Sequence, residues 1–207
     1  VYDETLGTWL DQLGSSAPAP GGGAAAAMNA AIGAALISMV ANLTIGKAAY
    51  AAHEEHATNV RTNADALRER ALQLAANDAE AFDALMATFR LPRTTDAEKA
   101  TRTAAIQEAT EAAARVPLRI AETAAEVIRL AQTLPGRSNP NVLSDVAVAA
   151  ASAAAALESA ALNVEINLRS LRDEAVKESL TASLTAQTGM LDTASTLIRD
   201  VRQEINR

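Results

Sequence analysis

The chain has 207 residues, a formal charge of −7, no cysteine and only 2% aromatic residues. The length suffices for one cooperative domain with a substantial core, or two very small ones. The negative charge excludes a general nucleic-acid binder, which needs a basic footprint, but a few cations can still make a local site for a small anion; the missing cysteines exclude disulfides and thiol chemistry.

Hydrophobic residues make up 49% of the chain, and much of that share is alanine. A large sheet needs β-branched and aromatic residues, whereas alanine favours helices that pack closely. These features predict an all-α fold: a single-domain, multi-helix bundle over 1–207 with long central Ala-rich helices.

The opening VYDETLGTWLDQL lacks a basic region followed by an apolar one, so no signal peptide is expected and the expected location is cytoplasmic. Leu6, Trp9, Leu10 and Leu13 recur at helical spacing over 2–13. Gly14, Ser15 and Ser16 stop that helix, and the prolines at 18 and 20 bias the next residues toward extended backbone. Pro20 then leads into Gly21, Gly22 and Gly23, which either turn the chain or let backbone approach closely.

From Ala24 through Gly46 no residue is charged. The length alone could span a bilayer, but the run is mostly alanine, with Asn29, Ser38 and Asn42 interspersed. Met28, Ile32, Leu36, Met39, Val40 and Leu43 form one stripe. A central helix buried among other helices fits better than a membrane span. A long helix is expected over about 52–90, with Leu67, Ala71, Leu74, Phe82 and Leu85 on one stripe, ended by Leu91-Pro92. Another starts with Thr95 or Asp96 as cap and runs to about 133. Pro117 should kink or divide it, because proline removes a helical donor and crowds the preceding turn. After the loop at 134–141, residues 142–167 form a second nearly uncharged central helix. The stretch 173–204 alternates charged and apolar faces and reads as peripheral.

Several polar residues fall in apolar places. Asp78 lies four after Leu74 and four before Phe82 on one helical face. It is either a cap or salt-bridge partner at the core edge, or an acid or base in a cleft. Lys47 extends the Val40–Leu43–Tyr50 stripe; its stem covers apolar surface, or its amine meets a substrate carboxylate or tunes an acid. Asp145 is a first-turn acid after the 136–141 loop. Asn163 and Asn167, four apart, share a cleft or bridge helices. His53 and His56 lack a third ligand, so no metal site is expected, and HExxH and GxxxxGK[ST] are missing. Alanine buries little area per residue, so partner surface should complete the core, which favours a homo-oligomer.

PAPGGGAAAA followed by GAALISMVANLTIGKAAY resembles the formiminotransferase-cyclodeaminase / methenyltetrahydrofolate cyclohydrolase family. The likeness continues through LAANDAEAF at 74–82, VP at 116–117, NPNVLSDVAVAA at 139–150 and ALESAALNVEINL at 156–168. It implies an all-helical, usually dimeric domain acting on folate one-carbon units, standing alone without the formiminotransferase region. Hydrolysis of 5,10-methenyltetrahydrofolate to 10-formyltetrahydrofolate is the first reading. Cyclodeamination of 5-formiminotetrahydrofolate is the alternative, as are a noncatalytic folate binder and a helical assembly protein.

On the family's pattern, Asp78, Lys47 and then Asp145 form the catalytic set: Asp78 is the acid or base, Lys47 orients it or stabilises charge, and Asp145, with Asn167, holds pterin polar groups or water. Pro20, Gly21, Gly22, Gly23, Asn163 and Arg137 join the binding set; Arg137 or Arg169 suits the folate tail. No metal, and no cofactor beyond the tetrahydrofolate substrate, is implied. The expected partners are a folate small molecule and a second copy, with no nucleic acid or membrane. The family's glycines are commonly followed by serine, where this chain has Ala24.

Overall fold

The computed structural model describes residues 4–206, so the expected helix start at residue 2 and the outermost residues of the expected 1–207 domain lie outside the described residues. Thr5 caps α1 (Leu6–Leu13) by accepting from the Thr8 backbone N–H, and Trp9 anchors its one buried face. α2 (Gly22–Asn42) follows, then a 3₁₀ turn (Ala48–His53) that feeds α3 (Glu54–Thr88). α4 (Asp96–Gln132) starts on a full capping box: Thr95 accepts from the Glu98 N–H, and Glu98 accepts from the Thr95 N–H. A short 3₁₀ turn (Pro140–Val142) precedes α5 (Leu143–Leu168). The C-terminal stretch divides at Gly189 into α6 (Glu174–Thr188) and α7 (Met190–Ile205).

The bundle is all-α. α2 lies between α3 and α5, α4 closes the layer against α3 and α5, and α6 and α7 cover the α4–α5 side. Alanines at 24, 26, 27, 30, 34 and 41 are sealed in the α2 core, interleaved with Ile37 and Val40. Small side chains let backbones approach, and Gly33 shows how closely: a Cβ there would sit 3.0 Å from the Ala149 carbonyl oxygen of α5. Both α2 and α5 are long and apolar enough to cross a membrane. The inward face of α2 is nevertheless occupied by neighbouring helices, as in the core of a helical bundle.

One expectation needs correction. The helix carrying Pro117 is not divided; α4 runs unbroken from 96 to 132 with the proline buried inside it. The carbonyl that loses its helical donor belongs to Ala113, four residues earlier, and the Asn167 side-chain Nδ2 donates to it at 3.2 Å. The glycine run straddles the start of α2. Gly21 is the N-cap, and Gly22 and Gly23 already belong to the first turn of α2.

α2 and α5 run antiparallel. The start of α2 therefore lies beside the end of α5, and the end of α2 beside the start of α5. Asn139 marks the second junction: its backbone N–H donates to Thr44 Oγ1 at 3.1 Å, and its Nδ2 to the Leu43 carbonyl at 3.3 Å.

Candidate active site

A cavity of about 340 Å³ opens at the glycine end of the bundle. Pro18, Ala19 and Gly21–Gly23 form one wall, and Asp78, Ala81, Phe82 and Leu85 of α3 another; Ala113 of α4 and Asn163, Ile166 and Asn167 of α5 complete it. The last fully buried residue of α3 is Ala75. Beyond it the apolar stripe continues, but it faces the cavity instead of a packed neighbour. Phe82 and Leu85 thus become an apolar wall.

Asp78 is half-buried in this wall. Burial pushes its carboxyl above the usual value of 3.8, while a hydrogen bond from the Ala24 backbone N–H pulls it down less strongly. Gly23 is required by this approach. A Cβ at position 23 would fall on the Asp78 carboxylate, well inside van der Waals contact. Of the two readings of the glycine run, close approach is the one that applies. The missing hydroxyl at Ala24 does not prevent its backbone amide from meeting the carboxylate.

Asn163 lies beside Gly22, with its amide nitrogen 3.5 Å from where a Cβ would stand. Its Nδ2 donates to the Ser159 carbonyl at 2.8 Å. The Asn167 Nδ2 donates both to the Asn163 carbonyl at 2.9 Å and to the Ala113 carbonyl. The Asn167 amide thus spends both donors on backbone carbonyls, and the Asn163 amide spends one.

The structure brings together Gly21, Gly22, Gly23, Asp78, Asn163 and Asn167. Pro20 stands next to the lining, after a cis Ala19–Pro20 peptide, while Pro18 and Ala19 line the cavity themselves. Lys47, Asp145 and Arg137 fall at the other end of the bundle. Lys47 is exposed just before the 3₁₀ turn, Asp145 is in the first turn of α5, and Arg137 is exposed in the preceding loop. Arg169, just past α5, is exposed. The sequence reading overlooked Ala113, whose signal was Pro117 four residues later. It also overlooked Tyr50 as a partner of Asn139, to whose Oδ1 the Tyr50 hydroxyl donates at 3.2 Å.

His56 contacts the Thr133 carbonyl through Nε2 at 3.2 Å, so it ties α3 to the end of α4. Among the described residues no group of three or more His, Cys, Asp or Glu side chains converges as a metal cage would require.

The family model described as formiminotransferase-cyclodeaminase matches residues 5–186. The chain belongs to this family. A methenyltetrahydrofolate cyclohydrolase of Methylorubrum extorquens is 50% identical over 176 residues, which is 85% of each chain. A formimidoyltransferase-cyclodeaminase of Rattus norvegicus is 35% identical over 178 residues, covering 86% of this chain and 33% of that relative. The chain thus spans about a third of the length of that second relative. The crystal structure of formiminotetrahydrofolate cyclodeaminase from Thermotoga maritima superposes with a TM-score of 0.89 at 25% identity, over 100% of this chain and 99% of the other. The family's fold therefore spans the whole chain, and its glycine run, Asp78 and Asn pair form the walls of one cavity.

Proposed function

We propose that this protein is an enzyme of folate one-carbon metabolism, working at the carbon held between the two reactive nitrogens of tetrahydrofolate. The observation that carries the reading is Asp78: a carboxylate with raised proton affinity, lodged between an apolar wall and the first turn of α2 in a family of this chemistry.

Hydrolysis and cyclodeamination share a tetrahedral carbon. In hydrolysis a water oxygen adds to the cationic methenyl carbon and gives up a proton. The bond from that carbon to one folate nitrogen then breaks as the nitrogen takes a proton, and the remaining hydroxyl becomes the formyl carbonyl. In cyclodeamination a folate nitrogen adds to the formimino carbon, and the formimino nitrogen leaves as ammonia. Asp78 in its ionised form accepts the water proton, and in its protonated form supplies the departing nitrogen. A carboxyl whose affinity is shifted toward neutrality performs both roles better than an ordinary one. The one-carbon carrier is the substrate itself, and neither reaction calls for a resident cofactor.

Hydrolysis is supported by the 50% relative, of which the chain covers 85%. Cyclodeamination has the broader support: four relatives at 30–35% identity and the superposed structure carry that name. The weight of similarity therefore moves toward the reaction that the sequence reading placed second. Purified protein supplied separately with methenyltetrahydrofolate and formiminotetrahydrofolate separates them. Loss of the methenyl chromophore reports opening; its appearance together with ammonia reports cyclodeamination. Binding of folate without enzyme-dependent change leaves a noncatalytic binder, and no binding removes the folate reading altogether.

A homodimer is part of this proposal. Ile32 and Met39 stand exposed along the uncharged α2, with Leu43 just past its end, and Val148, Leu162 and Ile166 along α5. Apolar side chains on two otherwise central helices are suited to covering by a second copy. A monomeric mass in solution at micromolar protein rejects it. Cytoplasmic location belongs to the same proposal, and fractionation of the source cells tests it.

A further inference from the structure

An alanine-rich helix gains nothing in stability from an internal proline. Pro117 removes one backbone donor from α4, a change that kinks or breaks an ordinary helix interior, yet it sits buried with the helix intact around it. The carbonyl it leaves without a helical donor is that of Ala113, which lines the cavity. The Asn167 amide reaches across from α5 to that carbonyl and at the same time donates to the Asn163 carbonyl. With two acceptors facing its nitrogen, Asn167 has one orientation of its amide, and its Oδ1 is the atom left over. The Asn163 amide is turned the same way by its single bond to the Ser159 carbonyl. No donor within the described residues is recorded for either oxygen.

The cavity lining therefore includes two neutral side-chain carbonyls on residues four apart, whose backbones stand about 6 Å apart along the helix axis. Acceptors from adjacent turns suit a flat group with diverging N–H bonds, such as an exocyclic amino group on a ring. On the folate reading above, on which this inference rests, that group is the 2-amino group of the pterin.

We propose that Pro117 is a positioning residue for ligand recognition: it frees the Ala113 carbonyl to hold the Asn167 amide, so that Asn163 and Asn167 present paired acceptor oxygens to the pterin amino group. The proline thereby connects the interior of α4 to ring selectivity without touching the ligand. Asp78, in the same cavity, is left to the one-carbon unit.

The test compares kcat/KM for the active tetrahydrofolate substrate with that for its analogue bearing methyl in place of the 2-amino group. Wild-type protein should prefer the amino compound by about tenfold or more, because the bound analogue would cover both acceptors without pairing them. Pro117→Ala restores a backbone donor to the Ala113 carbonyl and lets the Asn167 amide turn. Its melting temperature should hold or rise, while the preference falls several-fold through a higher KM for the amino substrate. A purely structural proline would lose stability and leave selectivity alone. Asn163→Ala removes an acceptor whose donor side serves only its own helix, so it carries the test even if position 117 repacks badly. Equal turnover of both compounds by wild-type protein, full preference in the folded Pro117→Ala variant, or full preference in Asn163→Ala overturns the inference while the folate reading stands. Wild-type protein inert toward every tetrahydrofolate form overturns the reading beneath it.

Discussion

The two ends of the α2–α5 pair are built on different principles. At the glycine end, backbone and side chains leave a cavity, with Asp78 against Gly23 and two asparagines whose acceptors are unspent. At the other end the polar groups satisfy one another. Asn139 accepts from the Tyr50 hydroxyl and the Asn141 N–H, and it donates to Leu43 and Thr44. Thr44, itself buried, passes its hydroxyl proton to the Val40 carbonyl. One end is thus prepared for a ligand and the other is locked, although both are formed by loops that punctuate the same two helices. Hydrogen-bonding capacity left over, more than the number of polar residues, separates a site from a joint.

The sharpest way to break this contrast is to remove Asp78, the one acid among the described residues lining the cavity. Asp78→Asn keeps the shape and removes the proton transfer. Turnover should fall about 10²–10⁴-fold, the usual worth of a positioned acid or base, with helicity by circular dichroism unchanged. Lys47→Met is the matched change at the closed end. The 21 residues of α2 place about 31 Å of helix between Lys47 and the glycine run of the same copy. A comparable loss in that variant requires Lys47 to reach a site on a second copy; near-normal turnover confines the chemistry to the glycine end. Kinetics of both variants beside their solution masses decide between these outcomes.

Gly23→Ala attacks the same end through packing. The added methyl lands on the Asp78 carboxylate, so either α3 shifts or the acid turns away. Overpacking of this kind costs about 1–3 kcal/mol, and turnover should fall with it. Gly136, whose φ is +72° but which has open space where a Cβ would go, is the control at the far end: Gly136→Ala should cost about 1–2 kcal/mol through backbone strain alone and leave catalysis intact. Urea melts and turnover of the two variants test the pair.

At the locked end, Asn139→Ala removes the side-chain bonds to Tyr50, Leu43 and Asn141 but keeps the backbone bond to Thr44. A loss of about 1–3 kcal/mol is expected, seen as a lower urea midpoint. The binding constant for folate at the glycine end should not move.

The helical class was legible because alanine content and period both point to it, and the ends of α4 and α5 were legible because Thr95, Pro135 and Asn139 punctuate them. The site was legible only in part. Periodicity put Asp78, Phe82 and Leu85 on the face of Leu74, and they do share it. A face says nothing about where the opposing helices stop, so core and cavity wall look alike in one strand of sequence. Glycine fits a turn and a first helical turn equally, so Gly22 and Gly23 could not be assigned to α2 beforehand. Pro117 misled for a related reason. The propensity penalty is local, whereas its relief comes from Asn167, fifty residues away on another helix.

The smallest effect concerns stability, and its sign follows from Asp78. Its carboxyl binds a proton more tightly in the folded chain than the usual 3.8, chiefly because burial disfavours the charged form. The folded state then holds more proton than the unfolded state as pH climbs above that value. Unfolding releases proton, and stability falls with rising pH through the interval between the two affinities, then levels once the folded group has ionised. This is opposite to the behaviour of a salt-bridged carboxylate. Asp78→Asn removes the titration, so the variant should gain on wild-type protein across that interval and hold its advantage toward neutrality. At acid pH, where Asp78 is protonated in both states, the two should converge. Urea melts at a series of pH values read the difference directly. An advantage that grows toward acid would mean the folded carboxylate is held ionised, and the open end would then be as fully satisfied as the locked one.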